Sequence, residues 1–447
     1  MKSEQTASVK RILNSSLENS GDELITGKPI ESPSIQSSSF MTQVLERNNL
    51  QRALKQVKRN KGAPGVDGMT VDDLSGYLKQ HWKILKAELL KETYRPTPVM
   101  RVEIPKPDGS KRKLGIPTVI DRFIQQAIAQ VLQAIWDIDF HDHSYGFRPK
   151  RSAHQAIIYA QQTIRSGYGW VVDLDLKSFF DEVNHDRLMN RLQKRIEDKV
   201  LLRLINRYLK AGVQINGKKV KSVKGAPQGG PLSPILSNIV LDELDWELER
   251  RGHKFARYAD DCNIFVKSEV AGERVMKSVR RFIEDSLRLK VNTQKSAVDR
   301  PWKRMFLGFS ISWRGNRIRV GKKAILKLKG TIRELTRRTR GHTLNQIIAD
   351  LRKSLLGWKA YFDISEVLSP LHDLDKWIRR KLRCYIWKQW GRAGYRNLRR
   401  RGVGQYLAWN TAKSAHGPWR LSKSPALARA LPNKYFRGMG LPSLASR

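Results

Sequence analysis

RYADDCNIFV, residues 257–266, sets two adjacent aspartates between two short apolar stretches, FARYA and CNIFV. That pattern predicts a β-hairpin with Asp260 and Asp261 at its tight turn. Aspartate tolerates turn geometry well, so the pair by itself does not establish chemistry.

A second stretch gives the pair its meaning. In VVDLDLKSFFDEV, residues 171–183, Val172, Leu174 and Leu176 fall on one face of a strand, and Asp173 and Asp175 on the other. Carboxylates on a buried strand are costly unless they are paired or metal-bound. Set against the turn aspartates they repel, and some of them stay protonated. A divalent cation removes the conflict. Two such ions, about 3.5–4 Å apart, can activate a 3′-hydroxyl and stabilise a leaving pyrophosphate. Oxygen-only ligation suits Mg²⁺, which binds through few carboxylates plus substrate phosphates.

The charge names the partner. The 447 residues hold 85 Lys and Arg against 42 Asp and Glu, a net +43. Such a chain repels itself unless a polyanion neutralises it, so nucleic acid is expected. No apolar run approaches the roughly 18 residues of a membrane span, so no membrane partner is expected. The opening residues show no secretory signal. Cys262 and Cys384 stand far apart with no Cys/His cluster, which argues against structural zinc and for an intracellular, cytoplasmic protein with reduced thiols.

Outward from the aspartates, residues 1–40 are Ser-rich and carry net −1, the pattern of a flexible arm. Residues 41–61 are amphipathic and run into the Gly/Pro-rich loop KGAPGVDG, 61–68. VMRVEIPKPDGSKRKLGIP, 99–117, reads as a hairpin with a cationic turn. Ile120, Phe123, Ile124, Ala127, Ile128 and Val131 then recur at helical spacing. Residues 316–447 hold 31 Lys/Arg and 6 Asp/Glu, with six of the twelve tryptophans. Leu344, Ile347, Ile348, Leu351, Leu355, Trp358 and Phe362 trace one helical face, with Arg352, Lys353 and Lys359 off it. A further helix is expected from Ser369-Pro370, Ser as cap and Pro at the first helical position. Its Arg379, Arg380, Lys381 and Arg383 read either as dipole compensation or, beside so many aromatics, as nucleic-acid contacts.

YADD, the D-L-K-S-F-F-D strand and the PQGGPLSP loop resemble the palm motifs of reverse transcriptases. More narrowly, KGAPGVDG, YRPTPV, IPKPDGSKRKLGIP, SYGFRP, PQGGPLSPILSNI, YADD, NTQKS and FLGF stand in the order found in group II intron-encoded reverse transcriptase/maturases. The tail, GPWRLSKSPALARALPNKYFRGMGLPSL, is similar too, so the resemblance covers about 41–447.

It implies an α+β right-hand polymerase: fingers and palm at 41–315, a helical thumb or maturase domain at 316–395, and a small basic DNA-binding region at 396–447. Asp175, Asp260 and Asp261 would be the catalytic, metal-binding carboxylates, with two Mg²⁺ ions; Asp173 is the second choice on its strand. Phe180, five residues after Asp175, matches the aromatic gate against a ribose 2′-OH, with core packing as the plain alternative. Gln228 matches the residue against the incoming nucleotide. Lys106 and Arg112 match the fingertip cations on the triphosphate, and Lys295 a lysine near the primer terminus. The implied partners are intron RNA, a DNA target and primer, and deoxynucleoside triphosphates. The implied activity is RNA-directed DNA synthesis with maturase-assisted splicing in intron mobility. A non-catalytic splicing cofactor, or a reverse transcriptase recruited to host defence, are the alternatives. Many relatives carry a C-terminal metal-binding nuclease; the two cysteines here cannot build one, so the chain resembles the endonuclease-lacking members.

Overall fold

The computed structural model describes residues 39–446 apart from 106–108, 110, 223, 227, 228 and 338. Its strands are β1 (Val99–Pro105), β2 (Lys111–Ile116), β3 (Trp170–Leu174), β4 (Val213–Ile215), β5 (Lys218–Val220), β6 (Lys254–Tyr258), β7 (Asp261–Val266), β8 (Ala297–Asp299), β9 (Phe309–Ile311) and β10 (Ile318–Val320). Helices surround them, giving the α+β body expected from the sequence.

The sheet that matters runs β6-β7-β3-β8, antiparallel throughout. Alternation along β3 and β7 sends side chains to opposite faces. Val172, Leu174, Cys262 and Ile264 enter one core with the helices Arg47–Asn60, Val119–Trp136, Lys199–Lys210 and Ser233–Arg250. Val171, Ala256 and Phe265 enter a second core with the helices Ala153–Arg165, Lys322–Leu335, Leu344–Phe362 and Ser369–Trp390. Asp173 and Asp175 have the parity of Val171, so the acid face continues the face of the second core.

Ahead of this sheet, β1 and β2 form the expected hairpin, in register from Met100 opposite Ile116 to Pro105 opposite Lys111. Strand β4 joins β1 in parallel. The helix Val119–Trp136 begins where Thr118 accepts from the Asp121 N–H. Asp121, 1% exposed, accepts from Tyr94 Oη at 2.7 Å, Thr97 N at 3.1 Å and Thr118 Oγ1 at 2.8 Å. YRPTPV is thus docked through its first and fourth residues onto a buried carboxylate.

Two expectations are refined. The amphipathic stretch 41–61 is two helices, Phe40–Val44 and Arg47–Asn60, because the buried Asn49 amide donates to Val44 O at the break and to Ala127 O, both at 3.0 Å. The helix at Ser369 keeps Pro370 in its first turn, but the flanking residue is Leu368, with no side-chain cap.

Packing also continues across 395/396. Leu398, Val403, Leu427, Phe436 and Leu444 share the second core with Ile347, Leu351, Ile378 and Leu382. Buried Asp375 accepts from Ser443 Oγ at 2.6 Å, Leu444 N at 3.0 Å and Ala445 N at 3.4 Å, tying the final loop to the long helix.

The central fixture is Arg257 on β6, 0% exposed. Its guanidinium donates to both Asp245 oxygens, Nε to Oδ1 at 2.6 Å and Nη2 to Oδ2 at 2.5 Å. It also donates to Asn238 Oδ1 at 3.1 Å, Ala259 O at 3.0 Å and Ser144 Oγ at 2.7 Å. Removing one member of a buried ion pair leaves the other unpaired, at a cost of about 3–5 kcal/mol. Arg257→Met should therefore lower the unfolding free energy, read from urea denaturation, by about that amount. Arg257→Met with Asp245→Leu should recover much of the stability but not the held turn, so unfolding and primer-extension assays should part company in the double variant.

Candidate active site

Tyr258 pairs with Asp261, so the hairpin loop is Ala259 and Asp260 alone. Asp260 sits in the turn as expected, while Asp261 is the first residue of β7 rather than a turn residue. Ala259 takes a left-handed φ of 56°, and its carbonyl is held by Arg257. Gly146 of SYGFRP lies directly beneath: a Cβ there would stand 2.3 Å from Ala259 N. Tyr145 N donates to Arg257 O at 2.8 Å, and Arg257 N to His143 O at 2.9 Å. SYGFRP is therefore the shelf under the turn, and glycine lets the two backbones meet.

Leu174 stands opposite Cys262, which brings Asp175 level with Asp261 just beyond the ladder. The NTQKS segment holds Asp175 from the other side. Asp175 N donates to Ser296 Oγ at 3.0 Å, Asn292 N donates to Asp175 O at 2.8 Å, and the Asn292 amide donates to Asp175 Oδ1 at 3.3 Å. Asp173 lines the same cleft but is engaged: Arg304 donates to its Oδ2 at 2.9 and 2.6 Å, and to Lys295 O at 2.6 Å.

Burial and the neighbouring Asp260, Asp173 and Asp175 push the Asp261 carboxyl up to about 7, with Lys295 opposing. Burial raises Asp260 as well; Asp175 adds to the shift, while Arg112 and Arg257 counter it. Burial raises Asp173 against the pull of Arg304. The site concentrates negative charge beyond what its fixed cations neutralise, which fits a cation held through oxygen. Among the described residues no three His, Cys, Asp or Glu side chains stand close enough to enclose a metal unaided. The set accordingly suits an ion that keeps waters and takes further ligands from substrate phosphates.

A cleft of about 760 Å³ opens in front, lined by Asp173, Asp175 and Asp261 and by Lys295, Lys303, Arg304, Arg319, Lys322 and Lys323. Lys295 thus lies where expected. Phe180 is half-buried against the first core, edge-on to buried Phe179 with ring centroids 5.2 Å apart. Its carbonyl accepts from Ala226 N at 2.7 Å, which anchors the start of the PQG loop beside it. Gly229 in that loop, φ 118°, has room for no Cβ, since one would lie 2.6 Å from Gly115 O at the end of β2. Arg112 is exposed on β2, opposite Ile104. Lys106 and Gln228 lie outside the described residues.

The expected nucleic-acid cations divide. Arg352 donates to Gly440 O at 3.1 Å and Lys359 to Ser446 O at 2.5 Å, so both tie down the C-terminal segment. Arg380 lies 3.7 Å over the Trp419 ring and donates to Trp419 O, and Arg383 donates to Leu431 O at 3.0 Å. These four are bound up in packing the tail onto the thumb helices. Lys353 is exposed, Arg379 is half-buried, and Lys381 lies beside Trp377 and Trp419. Sequence reasoning missed Arg257 and Arg304, and also Arg319, Lys322 and Lys323. The only available signals were an arginine inside a buried strand and a GKK run fifteen residues after FLGF begins.

A hairpin of paired acids on an antiparallel sheet, fingers ahead and helices behind, defines a polymerase palm. Residues 104–311 match the family described as reverse transcriptase (RNA-dependent DNA polymerase), and 325–404 match the group II intron maturase-specific domain. Protein YkfC of Escherichia coli (strain K12) is 34% identical over 306 residues, covering 60% of this chain and 80% of that protein. Group II intron-encoded protein LtrA of Lactococcus lactis subsp. cremoris is 39% identical over 209 residues, covering 46% of this chain and 34% of LtrA. The putative COX1/OXI3 intron 1 protein of Saccharomyces cerevisiae is 31% identical over 264 residues, covering 56% of this chain and 30% of that one. The chain thus spans most of the first relative and about a third of the other two. It belongs to the group II intron reverse transcriptase/maturase family, the RNA-directed DNA polymerases that carry a splicing maturase domain. Enzymes of the reverse transcriptase family work with divalent metal ions. No helix among the described residues is long and apolar enough to cross a membrane.

The charge cluster has a pH signature. Asp261 is raised from its usual 3.8, so its protonated form favours the metal-free fold below about pH 4, and that contribution is lost as pH rises through about 7. Metal-free protein should lose thermal stability between pH 5 and 8, and Asp261→Asn should flatten the slope. Millimolar Mg²⁺ should raise Tm on the order of a few degrees at pH 8 and far less at pH 5.

Proposed function

We propose that the chain copies intron RNA into DNA at this cleft, assists splicing of the same RNA, and supports intron mobility by priming on a DNA target. The supporting observation is the set of carboxylates on β3 and the β6–β7 hairpin, turned toward a wall of lysines and arginines. Asp175, Asp260 and Asp261 would hold two Mg²⁺ ions, which when bound supply an activated primer hydroxyl and charge for the leaving pyrophosphate. The protein's own contribution is placement. Arg257 and Gly146 fix the turn carrying Asp260, and Asn292 and Ser296 fix Asp175. Lys295 and the cations of the cleft wall offer fixed positive charge to primer–template phosphates, read by shape rather than sequence. Arg112 on β2, together with Lys106, would take the triphosphate, and Gln228 the incoming base and sugar. Arg304 keeps Asp173 paired, which supports Asp175 over Asp173 as the proposed metal carboxylate.

Asp260→Asn tests the assignment: primer extension on an RNA template should vanish while RNA affinity, measured by filter binding, stays near wild type. Full extension by the purified variant would refute it. The proposed sugar gate is tested separately. An apolar pocket alone discriminates against an added hydroxyl by on the order of a hundredfold. A ring backed by Phe179 yields less, because its packing resists displacement. Phe180→Val should raise kcat/KM for ribonucleotides relative to deoxynucleotides on one primer–template. An unchanged ratio in active protein would make Phe180 a packing residue only.

A further inference from the structure

Shortly after Asp175, residues 180–185 grip residues 224–226 at the start of the PQG loop. Ala226 N donates to Phe180 O at 2.7 Å, Gly225 N to Val183 O at 2.8 Å, and Lys224 Nζ to Glu182 Oε2 at 2.8 Å. Gly225 takes a left-handed φ of 93°, and a Cβ there would stand 2.9 Å from Phe180 O and 3.0 Å from Asp181 O. The last bond comes from a side chain: His185 Nε2 donates to Gly225 O at 2.7 Å. His185 opens the helix His185–Gln193, whose Leu188 and Leu192 enter the first core, so the ring projects from a fixed base.

A carbonyl only accepts, so Nε2 carries the ring proton and Nδ1 is a bare acceptor. His185 is 4% exposed, and its Nδ1 has no hydrogen-bond partner among the described residues. An unpaired buried acceptor is costly, and an apolar side chain would fill this space without it. Packing therefore does not account for a histidine here; the one bond it makes does. That bond lands three residues before Gln228, in a stretch whose described residues belong to no helix or strand. On the far side of Gln228, Gly229 is pressed against Gly115 O. We infer that His185 is a positioning residue of the nucleotide pocket, its Nε2–H fixing how far the loop with Gln228 stands from Phe180. The inference deepens the proposed function and rests on its reading of Phe180 and Gln228 as flanking the incoming nucleotide.

The test follows single-nucleotide extension by the full chain on a pre-annealed DNA primer and RNA template with Mg²⁺. His185→Leu fills the space but loses the donor. It should raise KM for the deoxynucleotide by about fivefold to tenfold, the weight of one buried hydrogen bond, while kcat changes little. His185→Gln returns an N–H donor and should bring KM to within about twofold of wild type. Primer–template affinity without nucleotide should stay unchanged in both, which shows that each is folded. Because His185 acts through the loop, His185→Leu should raise KM far less when Gln228→Ala is already present. A KM unchanged in His185→Leu, raised equally in both His185 variants, or raised additively with Gln228→Ala overturns the inference. So does a loss of primer–template affinity alongside the rise in KM, which marks a general packing role. If Gln228→Ala alone leaves KM unaltered, it is the reading of the loop that fails, taking the inference with it.

Discussion

A guanidinium buried without access to water must have every donor met, and Arg257 meets this demand by reaching four residues in three segments at once. Asp245 and Asn238 belong to the helix Ser233–Arg250, Ser144 to the SYGFRP shelf, and Ala259 to the acid-bearing turn. The pairing with Asp245 is costly to desolvate and weak evidence for stability in itself. Its value is geometric. One cation sets the distance between the turn that carries Asp260 and the helix that follows the PQG loop, so the two sides of the site cannot drift independently.

The second constraint is the sheet's position between two cores. Because β3 and β7 are apolar on both faces near Val171 and Phe265, the sheet is fixed from both sides. Only where the second core ends does the same face turn polar, and there Asn263, Asp173, Asp175 and Asp261 take the alternate positions. The carboxylates therefore inherit their rigidity from the hydrophobic packing one or two residues away. Arg304 and the NTQKS segment then sort them: Asp173 is neutralised by an ion pair, whereas Asp175 has its backbone and one oxygen held.

Thumb and tail reverse the usual assumption about basic residues. A net +43 suggests that arginines face solvent and ligand. Arg352, Arg380 and Arg383 instead donate to backbone carbonyls of residues 419–440, and Asp375 holds the final loop. Arginine suits this role because its stem packs apolarly while its planar head satisfies several carbonyls. Exposed cations stand instead at the cleft, at Lys322 and Lys323 beside the half-buried Arg319.

What the sequence by itself determined was everything with a short period or a spaced motif. Alternation in 171–176 placed Asp173 and Asp175 on one face, the turn between β6 and β7 followed from YADD, and the stripe from Leu344 to Phe362 is the buried face observed. Eight ordered motifs carried the family and with it the fold class. Tertiary structure alone decided which groups meet across long separations. That Arg257 is buried rather than exposed, that Arg304 pairs with Asp173 131 residues away, and that Leu398, Leu427, Phe436 and Leu444 share a core with Ile347, Leu351 and Ile378 are outcomes of packing. No local pattern encodes them, because an arginine's sequence neighbours do not say whether its donors will find water, a phosphate or a carbonyl brought in from another part of the chain.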